Sequence, residues 1–61
     1  MRIRNLPEYA LAYKYVVYRE VGGECWFYGA YNSVMKAADV AAEVGGKVIE
    51  TEEVHNEHDI V

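Results

Sequence analysis

Cysteine is nearly absent from this chain: Cys25 is the only one, so no internal disulfide framework holds the fold together. No stretch reads as a secretion signal, and with the lone thiol this points to a reducing, cytoplasmic setting. Long apolar runs are missing as well. Lys14 and Arg19 interrupt the stretch from Tyr9 to Val21 and Gly22-Gly23 ends it, so the reading is a soluble protein with no membrane partner. Basic residues are few, with six Lys and Arg against ten Asp and Glu and a formal net charge of -4. Non-specific nucleic-acid binding needs clustered cations to neutralise phosphates, so no direct nucleic-acid contact is expected.

Length is short too. With 61 residues the chain is a single small domain near the lower size limit for a self-sufficient hydrophobic core, and self-association or a ligand would help it. Its ordered core is expected over about residues 9–54, between a lead-in, "MRIRNLPE", and a polar tail at 55–61. Charge is unevenly spread. Arg2, Arg4, Lys14 and Arg19 lie early, whereas Glu50, Glu52, Glu53, Glu57 and Asp59 crowd the end with no base among them. That acidic end reads as a solvated strand edge and tail, or as a surface for a basic partner, with Glu50, Glu52 and Glu53 as its candidate residues.

Six tyrosines, one tryptophan and one phenylalanine are what the chain has in quantity. From Tyr9 or Leu11 to Glu20, "LAYKYVVYRE" has the tyrosines and valines that suit a pleated, half-buried surface, and reads as the first strand. Gly22-Gly23 supplies a two-residue hairpin turn, and "ECWFYGAY" returns as the second strand. An uninterrupted register sets Val21 against Glu24, Arg19 against Trp26, Tyr18 against Phe27, Val17 against Tyr28 and Val16 against Gly29. Asn32 or Ser33 then caps a helix, "VMKAADVAAEV", with Lys36, Asp39 and Glu43 on its polar side and Val34, Ala37, Ala38, Ala41 and Val44 opposite. Gly45-Gly46 ends it, and "KVIETEEV" is the third strand. A right-handed crossover places that strand beside the first, giving an α+β fold of ββαβ order. The sheet is three-stranded and antiparallel, in order 2-1-3, with one helix on one face.

One helix covers one face. In this register one side carries Val16, Tyr18, Cys25, Phe27 and Gly29; the other carries Tyr15, Val17, Arg19, Trp26, Tyr28 and Ala30. If the helix takes the first side, Tyr15, Trp26 and Tyr28 stand open around Arg19, whose guanidinium would stack on Trp26. If it takes the second, Tyr18 and Phe27 are left open, so an aromatic patch is expected either way.

Catalysis needs a nucleophile or metal, a base and a group to stabilise charge, and no such set assembles here, so the expectation is not an enzyme and no cofactor. Cys25 reads as a structural residue inside a strand. His55 and His58 in "HNEHD" form too small a cluster to assign a metal, and a flexible tail is the plainer reading. The Gly-Gly pairs lack the spacing of phosphate loops. The free amides at the helix start favour an anion, with Tyr28, Tyr31, Asn32 and Arg19 or Lys36 as candidate contacts.

The stretch "YVVYREVGGECWFYGAYNSVMKAADVAAEVGGKVIET", about residues 13–51, resembles very short proteins of phages and prophages of gut Firmicutes. Their pattern is a Tyr-Val-Val strand with a following Arg, a turn, Trp-Phe-Tyr-Gly-Ala, an Ala- and Glu-rich helix, Gly-Gly and a Val-Ile-Glu strand. The resemblance leaves the lead-in and "HNEHDIV" unexplained. It implies an accessory protein of the host-cell cytoplasm that works by stoichiometric binding: blocking a host defence protein, as anti-CRISPR proteins do, or sequestering a nucleotide signal.

Taken with the surplus of rings, the leading expectation is a non-enzymatic binding module. It is a homo-oligomer that binds and inhibits a host protein through Tyr15, Arg19, Trp26, Tyr28, Tyr31 and Asn32 and its acidic surface. The alternative is an oligomeric sponge for a phosphate-bearing signal nucleotide, gathered by Arg19, Tyr28, Tyr31 and Asn32.

Overall fold

The computed structural model describes residues 2–54. Its frame is a three-stranded antiparallel sheet of strands β1 (Tyr15–Val21), β2 (Glu24–Tyr31) and β3 (Lys47–Glu50), in order β2-β1-β3, with helix α1 (Val34–Val44) between β2 and β3. The expected ββαβ architecture is therefore present. At the hairpin, Gly22 and Gly23 take φ of 59° and 80°. Two successive positive values match the twist of the flanking strands, and side chains other than Gly or Asn resist them.

From that turn the pairing runs as expected through Arg19 opposite Trp26 and Tyr18 opposite Phe27, then slips by one residue. Tyr28 is bulged out of the ladder, so Val17 faces Gly29, Val16 faces Ala30 and Tyr15 faces Tyr31. Because side chains alternate with a period of two, the extra residue swaps the faces of everything beyond it. Ala30 joins the Val16 side and Gly29 the Val17 side, the reverse of the uninterrupted register. A Cβ at Gly29 would lie 2.5 Å from the Tyr31 hydroxyl, whose ring fills the space.

Helix α1 lies on the Val17 side, where Val17, Ala37 and Ala41 are buried together and Tyr15, Tyr31, Val40, Val44 and Val48 pack around them. Of the two cap candidates Ser33 serves, its Oγ accepting from the Lys36 amide at 3.2 Å. The inner stripe is Ala37, Val40, Ala41 and Val44; Val34 and Ala38, expected inside, are exposed. Gly45 closes the helix in the left-handed region, and the Gly46 amide donates to the Ala41 carbonyl at 2.8 Å.

The opposite face is not open. Ile3, Ala10, Val16, Tyr18 and Val54 are buried as a second core, with Leu6, Cys25, Phe27, Ala30 and Ile49 against it. Its roof is the lead-in, which the sequence reading leaves without structure. The Arg4 amide donates to the Cys25 carbonyl at 2.8 Å and the Phe27 amide to the Arg4 carbonyl at 3.0 Å, a single parallel bridge on the outer edge of β2. Glu8–Ala12 follow as a 3-10 turn behind Pro7, so β1 starts at Tyr15 rather than at Tyr9 or Leu11. Tyr9 sets its ring edge-on to Phe27 at 6.4 Å, and Ala10 has no exposed surface. Strand propensity at Tyr9, Leu11 and Tyr13 yields to the larger gain of covering the Val16 face.

The third strand is half its expected length. Residues 51–54 are helical, not extended, and this turn brings Val54 into the second core. Thr51 and Val54 are buried while Glu52 and Glu53 between them are exposed. That spacing of three belongs to a helix; in a strand Thr51 and Glu53 would share a face.

Candidate functional site

The residues singled out in sequence separate into two groups at opposite ends of the sheet. At one end, a rung runs from Tyr31 across Tyr15 to Glu50. Tyr15 and Tyr31 are half-buried against α1 and belong to the helix-side core, not to an open aromatic face. At the other end Arg19 pairs with Trp26. Trp26 and Tyr31 are five steps apart along β2, about 16 Å at about 3.3 Å per residue.

Trp26 is 39% exposed and Tyr28 49%. The cation over the indole is Arg4, its guanidinium carbon 5.3 Å from the ring centroid, and not Arg19 as expected. The backbone explains the exchange. Arg4 bridges to β2 on both sides of Trp26, so its side chain leaves the chain directly beside the ring, and its Nη1 also pairs with Glu24 Oε2 at 2.8 Å. An exposed stack of this kind contributes about 0.5 to 1 kcal/mol. Beyond Phe27, nothing among the described residues pairs with the outer edge of β2. Trp26 therefore sits where Arg4 closes the outer edge of β2, with Glu24 on its hairpin side, and Tyr28 stands where that edge becomes free.

The expected anion site does not assemble within one chain. Asn32 turns its Oδ1 to the Lys14 amide at 3.1 Å, fastening the β2–α1 connection to the start of β1. Ser33 supplies Oγ to Lys36 and its carbonyl to Ala37, and Arg19 and the bulged Tyr28 do not lie on the Tyr31–Tyr15 rung.

No protein-family model matches this chain, and no curated protein or solved structure does either. Its function has to be read from its surfaces.

The acidic residues divide. Glu50 ends β3 and Glu52 and Glu53 project from the 51–54 turn, all exposed. Glu50 and Glu52 line a cleft of about 520 Å³ with Leu11, Tyr13, Lys14, Tyr15 and Thr51. Sequence reasoning misses this cleft because it rests on the 3-10 turn and on the early end of β3, both read as strand. Arg4 is also missed. The one available signal is the alternation of Ile3 and Leu6 with polar Arg2, Arg4 and Asn5, which marks a segment with an inner side.

Cys25 is free, half-buried and packed against the second core. Among the described residues, no three or more His, Cys, Asp or Glu group to hold a metal ion; His55 and His58 lie outside them. No helix of the described residues is long and apolar enough to cross a membrane.

Proposed function

We propose that this chain is a small non-enzymatic binding module whose contact surface is the outer side of β2 around Trp26 and Tyr28, flanked by Arg4 and Glu24. The observation that carries it is a tryptophan 39% exposed on an edge strand, with a bulged tyrosine beside it and no outer partner past Phe27 among the described residues. Burial of both rings and addition of a strand along that edge would supply affinity, since aromatics with arginine concentrate at interface centres. The resemblance to phage-type proteins supports a setting in the host cytoplasm with a host protein, such as a defence factor, as the inhibited partner. Self-association through the same edge is part of the proposal, because an exposed edge invites pairing unless it is blocked. The nucleotide-sponge reading is weaker. It would need Arg19 of one copy brought to Tyr31 and Asn32 of another.

The test is the double variant Trp26→Ser with Tyr28→Ser, taken through analytical ultracentrifugation and through capture of binding partners compared with the wild type. Loss of self-association and of specific capture, with far-ultraviolet circular dichroism unchanged, is the expected result. Equal association and capture by both proteins would overturn the proposal.

A further inference from the structure

The other edge of the sheet carries an unpartnered surface of its own. Among the described residues β3 pairs with β1 alone, and the Thr51 amide that follows it donates inward to the Lys14 carbonyl. Backbone groups alternate in direction along a strand, so those of Val48 and Glu50 face outward with no strand beside them.

Helix α1 adds side chains to this edge. It lies over β1 and β3 more than over β2. Ala37 and Ala41 are its buried stripe, while Val34, Met35, Ala38 and Ala42 are exposed. At about 100° per residue, Val34 and Ala38 stand next to that stripe on one flank, with Ala42 and Met35 above them and Lys36 on the other flank. A right-handed crossover from β2 to β3 turns the apolar flank toward β3 and Lys36 toward β2. Met35 is 75% exposed and Val34 52%, both more than Trp26.

We infer that this second edge, β3 with the apolar flank of α1, receives β2 of another copy, so that copies join head to tail in one continuous sheet. The inference rests on the reading of β2 as the contact surface and names what β2 meets when the chain self-associates. Both β2 and β3 are antiparallel to β1 and so run the same way; a neighbour in the same orientation sets its β3 parallel to the free end of β2. The two stretches match in length, Tyr28–Tyr31 against the four residues of Lys47–Glu50. Trp26 and Tyr28 flank Phe27, which belongs to the second core, so their rings stand on the side of the sheet that bears α1. The neighbour's α1 arrives on that same side. It sets Val34, Met35 and two small alanines against the rings, where a thioether makes favourable aromatic contacts.

Charge selects this pairing over β2 against β2. Arg2 and Arg4 stand on the β2 side with Glu24, whereas Glu50, Glu52 and Glu53 stand at the β3 side with Lys14, and Lys47 is taken up by Glu20 at 3.0 Å. A contact of β2 with β2 sets arginines against arginines. A contact of β2 with β3 sets a basic side against an acidic one.

Sedimentation velocity and native mass spectrometry of the full chain over a range of concentrations provide the test. A head-to-tail contact leaves β2 free at one end and β3 at the other, so the wild type should grow past a dimer. Trp26→Ser with Tyr28→Ser removes one surface, and Met35→Glu with Ala38→Glu, at two exposed helix positions, removes the other. Each double variant should be a monomer with the wild-type circular dichroism. Mixed in equal amounts, they should form a 1:1 dimer and nothing larger, because each keeps the surface that the other lacks. Val34→Glu takes the place of the helix pair if that protein does not fold. A wild type that stops at a dimer, a helix variant that associates as the wild type does, or a mixture that stays monomeric would overturn the inference and leave the β2 reading standing. A monomeric wild type, or undiminished association of the Trp26→Ser, Tyr28→Ser protein, would overturn it together with self-association through β2.

Discussion

If residues 2–12 are the roof of the second core, replacing Ile3 with alanine should cost far more than a change near a terminus ordinarily does. Ile3 is 8% exposed and buried with Val16, Tyr18 and Val54. The substitution removes three carbons, about 2.4 kcal/mol of transfer free energy at about 0.8 kcal/mol each. Arg4 is fixed to β2 by two backbone hydrogen bonds, so the chain cannot slide inward to close the gap. A cavity term then brings the total to about 3 kcal/mol. A chain of this length has a total stability of about 3 to 9 kcal/mol, so the loss is a large fraction of it.

Urea unfolding followed by Trp26 fluorescence and by circular dichroism measures this directly, and coincident curves justify two-state treatment. With a slope of about 1 kcal/mol per molar, the midpoint should fall by about 3 M. Arg2→Ala, at an exposed neighbouring position, is the control and should stay within about 0.5 kcal/mol of wild type. A loss for Ile3→Ala as small as the control's would refute the roof. The Val16 face would then be open, and Phe27 and Tyr18, not the β2 edge, would be the aromatic surface to explain.

Two further outcomes follow from the packing. Burial holds the Tyr18 phenol above its ordinary value of 10.0, with Cys25 adding, Lys47 opposing and Glu20 adding. Folded chains keep this proton where unfolded chains lose it, so the stability is complete below the unfolded value and falls as pH rises past it. Lys47, raised by its hydrogen bond and charge pairing with Glu20, acts in the same direction. Tyr18→Phe should therefore flatten the alkaline limb of a stability profile, and a limb as steep as wild type would reject the assignment. Gly46→Ala would set a Cβ 2.6 Å from the Tyr18 carbonyl oxygen, a backbone atom. Strand β1 has to move for it, at about 1 to 3 kcal/mol in thermal melts; an unchanged melting temperature would show that the approach is looser.

The frame of the fold is legible in the sequence because it rests on local signals. Gly22-Gly23 dictates the hairpin, the tyrosine and valine run dictates β1, and Ser33 with Gly45 brackets a helix whose alanines need a sheet. Those signals act over a few residues, and they set the strand order through the handedness of the crossover. What escapes is decided by long-range packing. Nothing near Ile3 or Ala10 announces that the Val16 face lies above them, and nothing near Tyr28 announces a bulge. The turn at 51–54 was readable in part: consecutive Glu52 and Glu53 between two residues that bury breaks the period of a strand. Of the candidate site, Trp26 and Tyr28 emerge exposed as expected, Tyr15 and Tyr31 become core, and Arg19 gives up its stack to Arg4. Helix α1 accounts for the first change by packing on the Val17 side, and the lead-in for the second by delivering Arg4 to the indole.

The bulge separates what the fold requires from what the surface does. Phe27 opposes Tyr18 and Gly29 opposes Val17, with Tyr28 the single residue between them. Deleting Tyr28 would leave each of those pairings in place and make the ladder continuous, with Ala30 still against Val16 and Tyr31 still against Tyr15. A residue whose removal repairs the sheet is not there for the sheet. Bulges placed next to binding surfaces re-aim side chains, and the one re-aimed here is an exposed ring beside Trp26. The deletion variant should fold, melt at or above the wild-type temperature and keep the amide pattern of both cores. It should also lose association through β2. If it fails to fold, the bulge is structural and Tyr28 leaves the proposed surface; if it folds and associates as before, Trp26 and the strand edge suffice without it.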